Sequence, residues 1–172
     1  MSDFMALCNR VTELRERLAR EGLPAGDINV GGGLGIEYVH PNHLPVADFP
    51  AYFGTFKRML PASVPVHFEL GRSIVAPCGT LITRVLYVKE GVSRKFAILD
   101  AGMNDLVRPA MYHAVHRIEN LSSDGPEEVY DVVGPICESS DVFGKGIVLN
   151  LCNRGDYVAI RSAGAYGESM AS

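Results

Sequence analysis

The 172 residues contain no tryptophan, only four lysines (Lys57, Lys89, Lys95 and Lys145) and four scattered cysteines. Cys8, Cys78, Cys137 and Cys152 form no CxxC pair, which argues against a zinc knuckle and a disulfide framework and points to a reducing compartment. Positive charge is scarce: 16 Lys+Arg face 20 Asp+Glu, and no basic stripe exists to neutralise a nucleic-acid backbone. No apolar run approaches the roughly 20 residues of a membrane span, and Met1-Ser2-Asp3-Phe4 lacks the charged and then apolar stretches of a secretory leader. The expectation is a cytoplasmic chain whose partners are neither nucleic acid nor membrane. His40 and His43 make an HxxH, but Pro41 and Pro45 put it in a loop with no helix to align the rings. Solvated histidines are expected there, and no metal.

What is present suits one good core: 47% of the residues are hydrophobic and 21% charged. Leu7, Val11, Leu14 and Leu18 recur at helical spacing between Asp3 and Arg20, with Glu13 and Arg17 four apart and Gly22 as a stop. A strand over about 27–31, a helix over about 47–60 with Phe53, Phe56 and Leu60 inward, and a strand over 65–69 follow. From Gly79 the period changes to two. Residues 81–88 alternate, Gly91-Val92-Ser93-Arg94 turns, and Lys95-Phe96-Ala97-Ile98-Leu99 completes a hairpin. Further strands are expected near 113–119, 128–134, 147–151 and 156–162. The fold class is therefore α/β plus β: an α/β piece of residues 1–76 before a mostly antiparallel β domain of residues 77–172.

Five constellations carry chemistry. Gly31-Gly32-Gly33-Leu34-Gly35 follows the apolar Ile28-Asn29-Val30, so backbone N–H groups can approach an anion with no Cβ in the way. It fits neither a dinucleotide fingerprint nor a Walker loop, and a tight strand-to-helix turn is the plain alternative. Glu69-Leu70-Gly71-Arg72 closes the second strand: the carboxylate can hold a proton on a heteroaromatic nitrogen and the guanidinium can bind an anion, or the two can simply form a surface pair. Arg108 and Tyr112 lie four apart and share a face if one helical turn connects them, which suits a carboxylate; the alternative pairs Arg108 with Asp105. Cys137, Glu138 and Asp141 occupy a polar loop, where a thiol can donate a proton or lie buried and inert. Arg161-Ser162-Ala163-Gly164-Ala165-Tyr166-Gly167 ends a strand with small residues that admit a ligand and a tyrosine hydroxyl to meet it, or that pack on a neighbouring strand.

In this order the motifs closely resemble the C-terminal part of the diaminopimelate decarboxylases, in the alanine-racemase-like family of pyridoxal-phosphate enzymes. The matching segments include Asp100-Ala101-Gly102-Met103-Asn104-Asp105, Arg108-Pro109-Ala110-Met111-Tyr112 and Cys137-Glu138-Ser139-Ser140-Asp141. Leu70 stands where that family usually has proline. The resemblance implies the last two strands and helices of a TIM-type α/β barrel followed by most of a C-terminal antiparallel β domain, in a homodimer whose active sites are shared between subunits. It implies pyridoxal 5'-phosphate as cofactor, with Gly32, Gly33, Gly71 and Arg72 at its phosphate, Glu69 at its ring nitrogen and Tyr166 touching cofactor and substrate. Arg72, Arg108, Tyr112, Glu138 and Tyr166 would hold a small-molecule amino-acid substrate, and Cys137 would act across the interface as proton donor. The implied reaction removes carbon dioxide from meso-2,6-diaminopimelate to give L-lysine.

The same resemblance calls for a Schiff-base lysine and a ring-stacking histidine upstream, and none of the four lysines lies in that motif. The expectation is an internal or truncated portion, inactive on its own. A non-catalytic binding or regulatory module of the same fold is one alternative. An enzyme for ornithine, arginine or carboxynorspermidine is another, which the Glu138 and Arg108–Tyr112 segments match less closely.

Overall fold

The computed structural model describes residues 1–41 and 47–172. His43 of the HxxH therefore lies outside the described residues. No helix among them is long and apolar enough to cross a membrane.

The first layer is helix, strand, helix, strand. α1 (Ser2–Arg20) leads to β1 (Ile28–Asn29), α2 (Phe49–Met59) and β2 (Val66–His67). The two strands pair in parallel, Ile28 opposite Val66 and Asn29 opposite His67, and are shorter than the expected runs, although bonds between the two chains continue as far as Gly31 and Glu69. α2 starts cleanly: Asp48 accepts from the Ala51 N–H at 3.0 Å, and Pro50 occupies a first-turn position where no amide hydrogen is needed. Cys8, Ile28, Leu34, Tyr52, Phe56 and Leu60 form the core here. Tyr52 is its hub, meeting Phe4 edge-on at 4.8 Å and donating its hydroxyl to the Gly32 carbonyl at 3.1 Å.

Two expectations change in this layer. Leu14 is 53% exposed, because α1 meets α2 only through its N-terminal half, where Phe4, Leu7, Cys8 and Val11 lie. Phe53 is 41% exposed, at the rim of an apolar cleft of about 200 Å³ that it forms with Phe56, Leu60, Val66 and Phe68.

A short helix α3 (Arg72–Val75) and a 3-10 turn lead into the second layer, a six-stranded sheet. Its strands are β3 (Thr80–Glu90), β4 (Lys95–Leu99), β5 (Ile118–Asn120), β6 (Glu127–Val133), β7 (Val142–Asn150) and β8 (Tyr157–Arg161). Their spatial order is β5-β8-β3-β4-β6-β7. The hairpin β3–β4 forms as the alternation predicts, Lys89 facing Phe96 and Glu90 facing Lys95. The sheet is not wholly antiparallel: β4 and β6 run parallel. Its two edges approach each other, where Asn120 Nδ2 donates to the Asn150 and Leu151 carbonyls at 3.4 and 3.3 Å, so the sheet is mostly closed around Val85, Leu99, Tyr130, Val132, Phe143 and Ile160.

Residues 113–117 are not strand as expected. They follow the five-residue helix α4 (Arg108–Tyr112), which stops at His113 in the left-handed region, φ 53°. β7 begins at Val142, earlier than the apolar run suggests, because Gly146 at φ 65° makes a bulge opposite Asp131, whose carboxylate accepts the Gly146 N–H at 2.8 Å.

Candidate functional site

The glycine segment and the acid–arginine tetrad are neighbours because the β1–β2 ladder runs on past both strands. Val30 donates to the His67 carbonyl at 3.1 Å and Glu69 to the Gly31 carbonyl at 2.8 Å. Gly32 then lies so close to the second chain that a Cβ on it would stand 2.6 Å from the Glu69 carbonyl oxygen, a position only glycine fills. Gly31 and Gly33 take φ of 68° and 96°, which also favour glycine. The two loops thus leave the strand ends side by side.

Among the described residues the backbone N–H groups of Gly32, Gly33, Arg72 and Ser73 have no protein acceptor. Ser73 is 4% exposed and its Oγ is buried without a partner. Arg72 is exposed and no carboxylate pairs with it among the described residues. Free N–H groups on two adjacent loops, one orphan hydroxyl and one unpaired guanidinium are the kind of donor that a phosphate or carboxylate site uses. Glu69 does not pair with Arg72. Its Oε1 accepts from Asn29 Nδ2 at 2.6 Å, while Asn29 Oδ1 accepts from the Gly31 N–H at 2.8 Å, so the asparagine ties the carboxylate to the glycine loop. Asn29 carries no motif, and only its place between two apolar strand residues marked it.

The second layer reaches this cradle through Tyr166. A Cβ on Gly71 would sit 2.9 Å from the Tyr166 hydroxyl, so glycine there lets the phenol close over the tetrad. Tyr166 is held by the join between layers: Ala163 donates to Gly79 at 2.9 Å, Gly164 to Ala76 at 3.1 Å, and a Cβ on Gly164 would clash with the Val75 carbonyl. Packing on a neighbouring segment and presenting the tyrosine are one arrangement.

Arg108 lies in α4, whose entry is set from β4. Asp100 accepts from the Thr83 hydroxyl at 2.5 Å and the Arg84 N–H at 2.8 Å, and these bonds, the hydroxyl first, hold its carboxyl below the usual range. Asp105 accepts from the Gly102 N–H at 2.8 Å and is not the partner of Arg108. Instead Arg108, 5% exposed, donates from Nη1 to the Ala165 carbonyl at 2.9 Å and the Tyr38 hydroxyl at 3.0 Å. Tyr112 is 58% exposed, so although one turn does connect them, the two side chains end in different surroundings: the first runs inward to Ala165, the second outward.

The 134–141 loop is organised by Asp141. Buried, it accepts from the Met103 and Ile136 N–H groups at 2.7 and 2.8 Å, and Gly134 is glycine because a Cβ would collide with that carboxylate. Cys137 is exposed, which removes the buried, inert reading. Glu138 folds back on its own loop, accepting from the Ser140 N–H at 3.1 Å and both neighbouring hydroxyls, and those bonds hold its carboxyl below its ordinary value. The loop's bonds run to the Met103 turn and not to the glycine cradle. The structure therefore brings Gly32, Gly33, Glu69, Gly71, Arg72 and Tyr166 together, sets Arg108 next to Tyr166, and presents Cys137 and Glu138 on a separate loop. A cleft of about 850 Å³ at the tip of the β3–β4 hairpin holds two matched pairs, Arg94 with Asp131 at 2.9 Å and Lys95 with Glu128 at 2.8 Å, and is also lined by Lys145.

Residues 7–164 match the family model described as pyridoxal-dependent decarboxylase, C-terminal sheet domain. The diaminopimelate decarboxylase of Bacteroides thetaiotaomicron is 60% identical over 174 residues; the match takes in 100% of this chain and 45% of that protein. A crystal structure of diaminopimelate decarboxylase from Helicobacter pylori complexed with L-lysine superposes with a TM-score of 0.83 at 38% identity, covering 98% of this chain and 41% of that one. Diaminopimelate decarboxylase from Methanocaldococcus jannaschii in co-complex with L-lysine does so with a TM-score of 0.85 at 38% identity, over 99% of this chain and 40% of that one. The chain thus spans less than half the length of the relatives it matches.

Proposed function

The chain belongs to the pyridoxal-dependent decarboxylase family, and from that membership we propose that it supplies the phosphate cradle and substrate clamp of an enzyme that converts meso-2,6-diaminopimelate to L-lysine and carbon dioxide. The observation that carries the reading is the convergence of Gly32, Glu69, Gly71 and Tyr166 at one place, with free N–H groups and the orphan Ser73 hydroxyl around it. On the same reading residues 1–76 correspond to barrel and residues 77–172 to the β domain.

Pyridoxal phosphate, when bound, supplies a protonated aromatic ring that takes up the electron pair left when carbon dioxide departs. This chain's part is positioning and proton control. The Gly32, Gly33, Arg72 and Ser73 amides and the Arg72 guanidinium bind the phosphate as charge-assisted hydrogen bonds. Glu69, with one oxygen held by Asn29, offers the other to the ring nitrogen and keeps its proton in place. Tyr166 closes over the tetrad, and Arg108, anchored by Nη1, presents the rest of its guanidinium to a substrate carboxylate. Tyr112 and Glu138 complete the clamp on a substrate with a charged head at each end. Glu138 and Cys137 act on a partner subunit's site in a homodimer, where the exposed thiol donates the proton that replaces the carboxylate.

Complementation tests this. Joined to the lysine-bearing portion of a relative, the chain is expected to release carbon dioxide from meso-2,6-diaminopimelate and not from ornithine or arginine. Comparable release from ornithine overturns the substrate, and no release from a folded assembly overturns the decarboxylase.

A further inference from the structure

We propose that His116 is a positioning residue: through the ring of Tyr38 it holds the Arg108 guanidinium where that group meets substrate. The inference deepens the assignment of Arg108 as the substrate-carboxylate ligand and rests on it.

His116 is 3% exposed and belongs to none of the segments that carry the family resemblance. Its Nδ1 lies 2.9 Å from the Arg161 carbonyl oxygen, which can only accept, so the hydrogen sits on Nδ1 and the lone pair on Nε2. Nε2 is buried without a partner. The ring is thereby fixed in plane and tautomer by β8. It meets the Tyr38 ring in a T-shaped contact, with centroids 5.1 Å apart at 79°. Tyr38 is held from its other end as well, since the Arg117 backbone N–H donates to its carbonyl at 3.1 Å and the Arg161 backbone N–H donates to the Arg117 carbonyl at 2.8 Å. Its hydroxyl then accepts from Arg108 Nη1 at 3.0 Å, and the Arg108 guanidinium carbon stands 5.6 Å from the same ring.

The direction of control follows from what each group can do. The Arg108 guanidinium has its Nη1 fixed twice, by Tyr38 and by Ala165. Freeing Tyr38 removes one of those two points and lets the plane rotate about the other. The groups around His116 are Tyr38 from the glycine-loop extension, Arg108 from α4 and Arg161 from β8, with Arg117 as its chain neighbour and with His113, and Lys145 of β7, lining the same cleft. The Arg161 and Arg117 guanidinium groups lie 3.9 and 3.4 Å from Glu119, whereas Arg108 and Lys145 have no carboxylate ion-pair partner among the described residues. A second positive charge on His116 would therefore meet an uncompensated one. Burial, and then Arg108, lower the imidazole's proton affinity accordingly.

The test is solvent exchange of the Arg108 guanidinium N–H groups, read by NMR on the nitrogen-15-labelled chain, with β8 amide protection as the measure of folding. His116→Asn keeps an N–H for Arg161 and loses the ring; His116→Phe keeps a ring and loses the N–H. His116→Asn is expected to speed Arg108 exchange roughly fivefold, the order an edge-to-face ring contact contributes, with β8 unchanged and His116→Phe near wild type. Unchanged Arg108 exchange in folded His116→Asn, or equal acceleration in His116→Phe, overturns the proposal. Should the variants fail to fold, the wild-type chain decides. Arg108 exchange that rises as the imidazole takes up its proton, against the base-catalysed trend, supports it, and indifference overturns it. Failure of the underlying assignment looks different: Arg108→Gln would then leave turnover by the complemented enzyme unchanged while the exchange results stand.

Discussion

Arg72 stands exposed beside free backbone amides, so its worth lies in binding and not in stability. Arg72→Ala is expected to weaken pyridoxal phosphate binding by the complemented enzyme roughly 10- to 100-fold, the range of a charge-assisted hydrogen bond, while leaving the melting temperature unmoved. Fluorescence titration checks it. Asp141 is the reverse case, a buried carboxylate that satisfies two N–H groups. Asp141→Ala should cost about 3 kcal/mol in urea unfolding, since two charged hydrogen bonds vanish and two buried donors are orphaned. His116 adds a pH term. Its native proton affinity is lowered from the ordinary value of 6.5, so below that pH the unfolded chain binds more protons than the folded one. Stability should decline as pH falls through 6.5 and level off below the native value, and His116→Asn should lack that decline.

At the level of elements, the local pattern identified the hairpin and both helices of the first layer, because period and turn chemistry act within a few residues. Where it failed, a distant partner decided. A strand is expected near 113–119, yet it forms only from Ile118, because α4 ends in a left-handed turn at His113 and His116 is taken up by β8 and Tyr38. The strand expected near 147–151 begins earlier, at Val142, and takes Gly146 in as a bulge, because Asp131 on the neighbouring strand supplies the acceptor. Gly146→Ala should therefore cost about 1–2 kcal/mol, the usual penalty of a left-handed non-glycine residue, measured by urea unfolding.

The two layers differ in how well they are held. Two-residue strands are marginal by themselves and lean on a small aromatic cluster, whereas the six-stranded sheet nearly closes on itself. Hydrogen exchange on the whole chain should show α1, β1 and β2 opening at lower free energy than β3, β4 and β8. Uniform protection across both layers would contradict this. The proposed homodimer makes its own prediction: subunits carrying Arg108→Gln, mixed with subunits carrying Cys137→Ser, should regain part of the activity that each lacks alone, because a shared site takes Arg108 from one subunit and Cys137 from the other.

Residue type and short spacing were enough to mark the glycine triplet, the Glu69–Arg72 tetrad, Cys137 and Tyr166 as candidates, since the chemistry each motif can offer resides in its own few atoms. Which of them meet was beyond such a reading. The side-by-side exit of two strands, Tyr166 over Gly71, and Arg108 on Tyr38 and Ala165 all join residues 37 to 95 positions apart. Contacts of that length leave no local period in the chain: the first is made by the β1–β2 ladder, and the others by hydrogen bonds that join one layer to the other, from Ala163 and Gly164 to Gly79 and Ala76 and from Arg117 and Arg108 to Tyr38.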